Sequence, residues 1–76
     1  MQEITLRSEF ITLGQLLKLV GEVASGGDVK DYLAVAEPLV NGEVETRRGR
    51  KLRNGDVVVL EGQGEFNLVG QKGVTG

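Results

Sequence analysis

Apolar and polar residues alternate over Ile4-Thr5-Leu6-Arg7. That period of two predicts a short N-terminal strand over residues 3–7, with Ile4 and Leu6 facing the core. The period then changes. Thr12 stands where a helix N-cap is favoured, Gln15 follows three residues later to complete a capping box, and Ile11 is placed to staple onto Leu16. Leu13, Leu16, Leu17 and Val20, continued by Val23 and Ala24, form one apolar stripe at helical spacing, so the first helix is expected from Leu13 to Val23. Lys18 and Glu22 lie off that stripe. Ser25-Gly26-Gly27-Asp28 breaks the helix and starts another, with Ser25 or Asp28 able to cap. Val29, Tyr32, Leu33 and Ala36 carry the second stripe, and Pro38 ends it by pushing Glu37 out of the helical region.

After Pro38 the period returns to two. Leu39-Val40 and Glu43-Val44-Glu45 flank Asn41-Gly42, the pair that a tight hairpin turn favours. A second turn at Asn54-Gly55-Asp56 leads into Val57-Val58-Val59-Leu60, whose β-branched residues mark the most buried strand. A final strand at about residues 65–69 is placed to pair with Ile4–Leu6, and residues 70–76 are expected to fray. The order strand, helix, helix, hairpin, strand, strand predicts an α+β domain. Its two short helices pack on one face of a small, mostly antiparallel sheet.

The chain has 76 residues, so residues 1–76 make a single domain whose core supplies only ~3–5 kcal/mol of net stability. It has no Cys and no His. Neither a disulfide framework nor a thiolate metal site can form, and no serine can be activated by an imidazole. The spacing of glycines fits neither a P-loop nor a dinucleotide fingerprint. The carboxylate pairs Asp28/Asp31 and Glu43/Glu45 are explained as helix-terminus charge and as a solvated strand face. A non-catalytic protein is therefore expected, with no metal and no cofactor. Nothing in the chain resembles a signal peptide or a membrane span, which favours a cytoplasmic monomer without a membrane partner.

Charge changes the picture most. The net charge is −2, yet Arg47-Arg48-Gly49-Arg50-Lys51-Leu52-Arg53 holds five of the nine basic residues and no acid. A polyanion senses the local field over roughly 8–10 Å rather than the sum. Arginines there would take bidentate bonds from phosphate oxygens, making a phosphate-contacting loop. The same run would also serve as a charged guard on a sheet edge, or meet an acidic protein partner. The chain has three aromatic residues, Phe10, Tyr32 and Phe66, with Tyr32 on a core-facing stripe. An open platform for stacking bases is not expected.

These segments taken together resemble a known family. Two short helices, Val40-Asn41-Gly42, a basic connection and Leu52-x-x-Gly55-Asp56-Val57-Val58 are similar to the RNA-binding domain named after small-subunit ribosomal protein four, the S-four domain. The resemblance covers residues 11–61. Phe10-Ile11-Thr12-Leu13-Gly14-Gln15-Leu16-Leu17-Lys18, Ser25-Gly26-Gly27 and Arg47-Arg48-Gly49-Arg50-Lys51-Leu52 narrow it to the small stand-alone bacterial proteins of the YaaA and YbcJ type. What the resemblance implies is binding of structured RNA, ribosomal or transfer RNA, in ribosome assembly or translation, with ribosomal particles as partners. By position, Arg47, Arg48, Arg50, Lys51 and Arg53 would contact phosphate, with Lys30 and the amides of Gly26 and Gly27 as lesser contacts at a helix N-terminus. Thr12-Leu13-Gly14 and Ser25-Gly26-Gly27-Asp28 stand where many members carry an Arg-Leu-Asp-like segment and a further basic residue. The alternative is a protein-interaction module that uses the basic patch to bind an acidic partner.

Overall fold

Thr12 opens the first helix as its pattern requires. In the computed structural model, which describes residues 2–70, its hydroxyl accepts from the Gln15 N–H while the Gln15 side chain accepts from the Thr12 N–H. This capping box starts α1 (Leu13–Leu19), which follows strands β1 (Gln2–Leu6) and β2 (Ile11–Thr12). α1 is shorter than the apolar stripe predicts. It closes at Gly21, where φ is +82°, with Gly21 N–H donating to Lys18 O and Glu22 N–H to Leu17 O. That pair of bonds is a Schellman closure, which needs a residue at ease with positive φ. Val20 and Val23 still pack against the core, from a loop rather than a helix. The period therefore continues past the point where the helix ends.

α2 (Gly26–Ala36) begins behind Ser25, which takes the extended N-cap conformation without a side-chain capping bond. It ends at Glu37, left-handed at φ 47°, because Pro38 bars the right-handed helical conformation from the preceding residue. The chain then forms β3 (Leu39–Val40) and β4 (Glu43–Val44), joined by Asn41 at φ 52° and Gly42 at φ 86°. Two successive positive φ values are the signature of the type I′ turn that the Asn-Gly pair predicts. Asn41 also ties the hairpin to its neighbour: its Oδ1 accepts from Val57 N–H and its Nδ2 donates to Asp56.

β5 (Lys51–Leu52), β6 (Val57–Leu60) and β7 (Gly64–Gly70) complete the fold. One sheet has the order β1-β7-β6-β3-β4, which puts β6 in the middle, and a separate two-stranded sheet pairs β2 with β5. The final strand does pair with Ile4–Leu6, in parallel, with Ile4 opposite Leu68 and Leu6 opposite Gly70. The other pairs are antiparallel. A parallel pair needs a long crossover, and here both helices and the hairpin supply it. Gly70, expected to fray, belongs to β7; the rest of the expected frayed tail lies outside the described residues.

The core joins Leu13, Leu16 and Leu17 of α1 and Val29 and Leu33 of α2 to Val40, Val58, Leu60, Phe66 and Leu68 of the sheet. Each such buried side chain contributes roughly 1.5–3 kcal/mol of transfer free energy before the entropy of ordering is subtracted. Among the described residues no helix is long and apolar enough to cross a membrane.

The hairpin gives the first testable consequence. Gly42→Val places a β-branched residue at positive φ, where strain alone costs about 2 kcal/mol. No neighbouring atom lies within 4 Å of a Cβ built there, so the cost is conformational and not steric. In a domain of this size it is expected to lower Tm by about 10 °C, read by a circular dichroism melt.

Candidate nucleic-acid interface

The basic segment is held to the helices by its own backbone. Ile11 pairs with Leu52 and Thr12 with Lys51 across the small sheet. Next to that pairing, Leu13 N–H donates to Arg50 O and Gly14 N–H to Arg48 O, each at 2.9 Å. These amides belong to the first turn of α1, which has no intrahelical partners for them. The basic loop thus completes the helix start, and the helix fixes the loop. Gly14 permits the approach, since a Cβ there would sit 3.4 Å from Arg48 O.

At the base of the segment stands Glu45. The alternating pattern gave it a solvated strand face; the structure buries it, with 7% of its surface exposed. Its carboxylate is surrounded by the loop it precedes. Arg47 Nε donates to Oε2 at 3.1 Å, Arg47 Nη2 to Oε1 at 3.2 Å and Arg50 Nη1 to Oε1 at 3.1 Å, while the Arg47 backbone N–H also reaches Oε2. The Arg47 side-chain bonds hold the Glu45 carboxyl well down, to about 2, against the upward push of burial and with help from the Arg47 N–H and Arg50. The same pairing raises the pKa of Arg47 further. Arg47 and Arg50 keep 75% and 36% of their side-chain surfaces exposed. They face solvent, but their charge is shared with Glu45, and they brace the loop as well as decorate it.

Arg48 occupies a different position. It lines a groove of about 450 Å³ with Lys30 and Leu33 of α2 and Thr46. It also lines a second groove with Gln15 and Lys18 of α1. One exposed arginine therefore shares a groove with a lysine from each helix. Lys51 and Arg53 lie farther along the segment, with Lys51 Nζ 4.9 Å and Arg53 Cζ 5.6 Å from the centre of the Phe10 ring. Asp56 fixes the backbone there by accepting from Arg53 N–H at 2.7 Å. Gly26 and Gly27 form the first turn of α2, and Gly27 lines neither of the two grooves that Arg48 lines. Asp28 in that turn adds negative charge beside them.

The structure thus brings Lys30, Arg48, Lys51 and Arg53 onto exposed positions around one loop and assigns Arg47 and Arg50 a shared role with Glu45. It adds two residues that the sequence pattern did not single out. Lys18 reaches the groove because it lies one turn beyond Gly14, the contact point of the loop; that signal is readable only once the loop's landing place is known. Phe10 meets the cations because β2 pairs with β5 immediately after it. Tyr32 packs against the core, and burial, with Glu22 and Glu61 nearby, raises its phenol pKa.

Comparison with known proteins agrees with this architecture. The family model described as "S4 domain" matches residues 4–68. A protein of Bacillus subtilis (strain 168) named "Probable ribosome maturation protein RlbA" is 53% identical over 66 residues, covering 87% of this chain and 93% of that protein. With most of its length matched on both counts, the chain belongs to the S4 domain family.

Proposed function

We propose that this protein is a non-catalytic RNA-binding module of ribosome maturation, which grips structured RNA through the loop 47–53 and the helix faces beside it. The observation that carries this reading is that Arg48 shares one groove with Lys30 and another with Lys18, with Lys51 and Arg53 along the same backbone. Net of Glu45, residues 45–53 carry a charge of +4 on a chain whose total is −2. The name of the Bacillus subtilis relative supports the ribosomal setting, and that setting favours ribosomal RNA over transfer RNA and a cytoplasmic place of work.

The loop recognises phosphate geometry. Its carbonyls hold the α1 amides and its base is braced by Glu45, so the cations are positioned before RNA arrives and little ordering entropy opposes binding. Arg48 offers a planar fork to two phosphate oxygens, while Lys18, Lys30 and Lys51 act as point charges around it. The A-form major groove is too deep and narrow for such side chains to read bases. Recognition in the helical part is therefore by backbone shape, with Gly26 and Gly27 amides as lesser contacts at the α2 start.

The test is a fluorescence titration of labelled ribosomal RNA, with duplex DNA of matched length as competitor, over a range of salt. Binding is expected to prefer RNA. With Lys18, Lys30, Arg48, Lys51 and Arg53 engaged, log K is expected to fall against log salt with a slope no steeper than about −4. Equal competition by DNA, or no binding at low salt, would instead favour an acidic protein partner for the patch.

A further inference from the structure

Beside the basic loop lies a cleft of about 550 Å³ between the end of β1, the loop that follows it and α1. Its volume is within the range of pockets that hold small organic groups. Phe10, Ile11 and Leu19 give it an apolar lining, and Leu19 is 62% exposed, unusual for a leucine on a helix that otherwise buries its apolar face. Arg7 and Lys18 line it too. No carboxylate among the described residues does, although the chain has 11 acids. Gln15 also lines it; its Oε1 accepts from Thr12 N–H, which leaves the NH2 group to donate.

Two observations connect this cleft to the phosphate surface. Gln15 and Lys18 line both the cleft and the groove that holds Arg48. Phe10, in the cleft, is the ring against which Lys51 and Arg53 stand. A nucleic-acid backbone following Arg48 and Lys18 would therefore pass the mouth of an aromatic-lined, cation-rimmed pocket.

We propose that the cleft takes the base of one unpaired nucleotide flanking the helical RNA, stacked on Phe10, with its phosphate between Arg7 and Lys18. This rests on the RNA-binding reading and adds a second mode to it. Unpaired bases splay onto aromatic rings, and because every base has a π face the stack tolerates any of them. The Gln15 amide adds a donor to a base edge. The small number of aromatic residues argues against an extended platform for single strands but not against one ring placed at the end of a cationic track.

The test compares a blunt RNA duplex with the same duplex bearing a short single-stranded overhang that carries a fluorescent adenine analogue. Wild type is expected to bind the overhang duplex about tenfold more tightly, with the analogue quenched. Phe10→Leu should remove both the preference and the quenching, and Phe10→Trp should keep both; the ratio between the two duplexes is the readout, since the loss of the ring also touches Lys51 and Arg53. Equal binding of the two duplexes by wild type, or a preference that survives in Phe10→Leu, would overturn the cleft proposal while the RNA module stands. Failure of both duplexes to bind would overturn the RNA-binding reading itself, and the cleft proposal with it.

Discussion

Replacing Arg48, Lys51 and Arg53 together by alanine is expected to lower affinity for ribosomal RNA by roughly a hundredfold or more and leave the domain folded. Charge-assisted hydrogen bonds contribute roughly 1.5–3 kcal/mol each, so the loss of three exceeds a hundredfold even after solvent screening. Each lost phosphate contact also reduces the salt slope by about 1, and the residual binding should depend only weakly on salt. The fold survives because these side chains are exposed, and what anchors the loop is the Arg48 and Arg50 carbonyls, which alanine retains. The loss of the contacts of Lys51 and Arg53 with Phe10 costs about 1 kcal/mol in all, a Tm decrease near 5 °C.

Replacing Arg47 and Arg50 together should do the opposite, damaging stability first and binding second. From the sequence, alanine at Arg47, Arg48 and Arg50 is expected to remove RNA binding and leave the fold intact. The structure distinguishes them, because the guanidiniums of Arg47 and Arg50 satisfy the carboxylate of Glu45, a residue with 7% of its surface exposed. Without them Glu45 keeps the Arg47 N–H alone. An undersatisfied buried acceptor costs roughly 1–3 kcal/mol, a large share of what so small a domain has. Glu45→Gln in the same background should recover part of the loss, since a neutral amide is cheaper to bury.

Acid should expose the same network in the wild type. The Glu45 carboxyl ordinarily titrates near 4.5 and is held at about 2 in the folded protein. Between those values the unfolded chain binds a proton that the folded chain does not, so this contribution to stability is full above about 4.5 and is lost as pH falls toward 2. Urea melts at neutral pH and near pH 3 should show that decline in wild type and a flatter response in the double variant. An equal decline in both would show that Glu45 does not depend on its arginines.

Local chemistry made much of the fold legible. The capping box of Thr12 and Gln15, the Asn41-Gly42 turn and the Val57–Leu60 strand each depend on neighbours in sequence or on a simple period. The errors have physical causes as well. Val23 keeps helical spacing because it packs on the core, but Gly21 has already closed the helix. β2 and β5 have two residues each, too few to show a period. The candidate interface was legible as charge and illegible as arrangement. Five basic residues in seven mark a charged patch, but which of them are free to face a partner depends on Glu45, whose carboxylate takes bonds from Arg47 and Arg50. Lys18 and Phe10 enter through contacts between segments far apart in the chain.

The most direct measurement of the central claim is the ribosomal RNA titration of wild type against the Arg48, Lys51 and Arg53 triple alanine variant, at low and moderate salt, with folding monitored by circular dichroism. A folded variant that has lost most of its affinity and most of its salt dependence is the expected result. A folded variant that binds ribosomal RNA as tightly as wild type, with the same salt slope, would contradict the placement of the RNA surface on this loop.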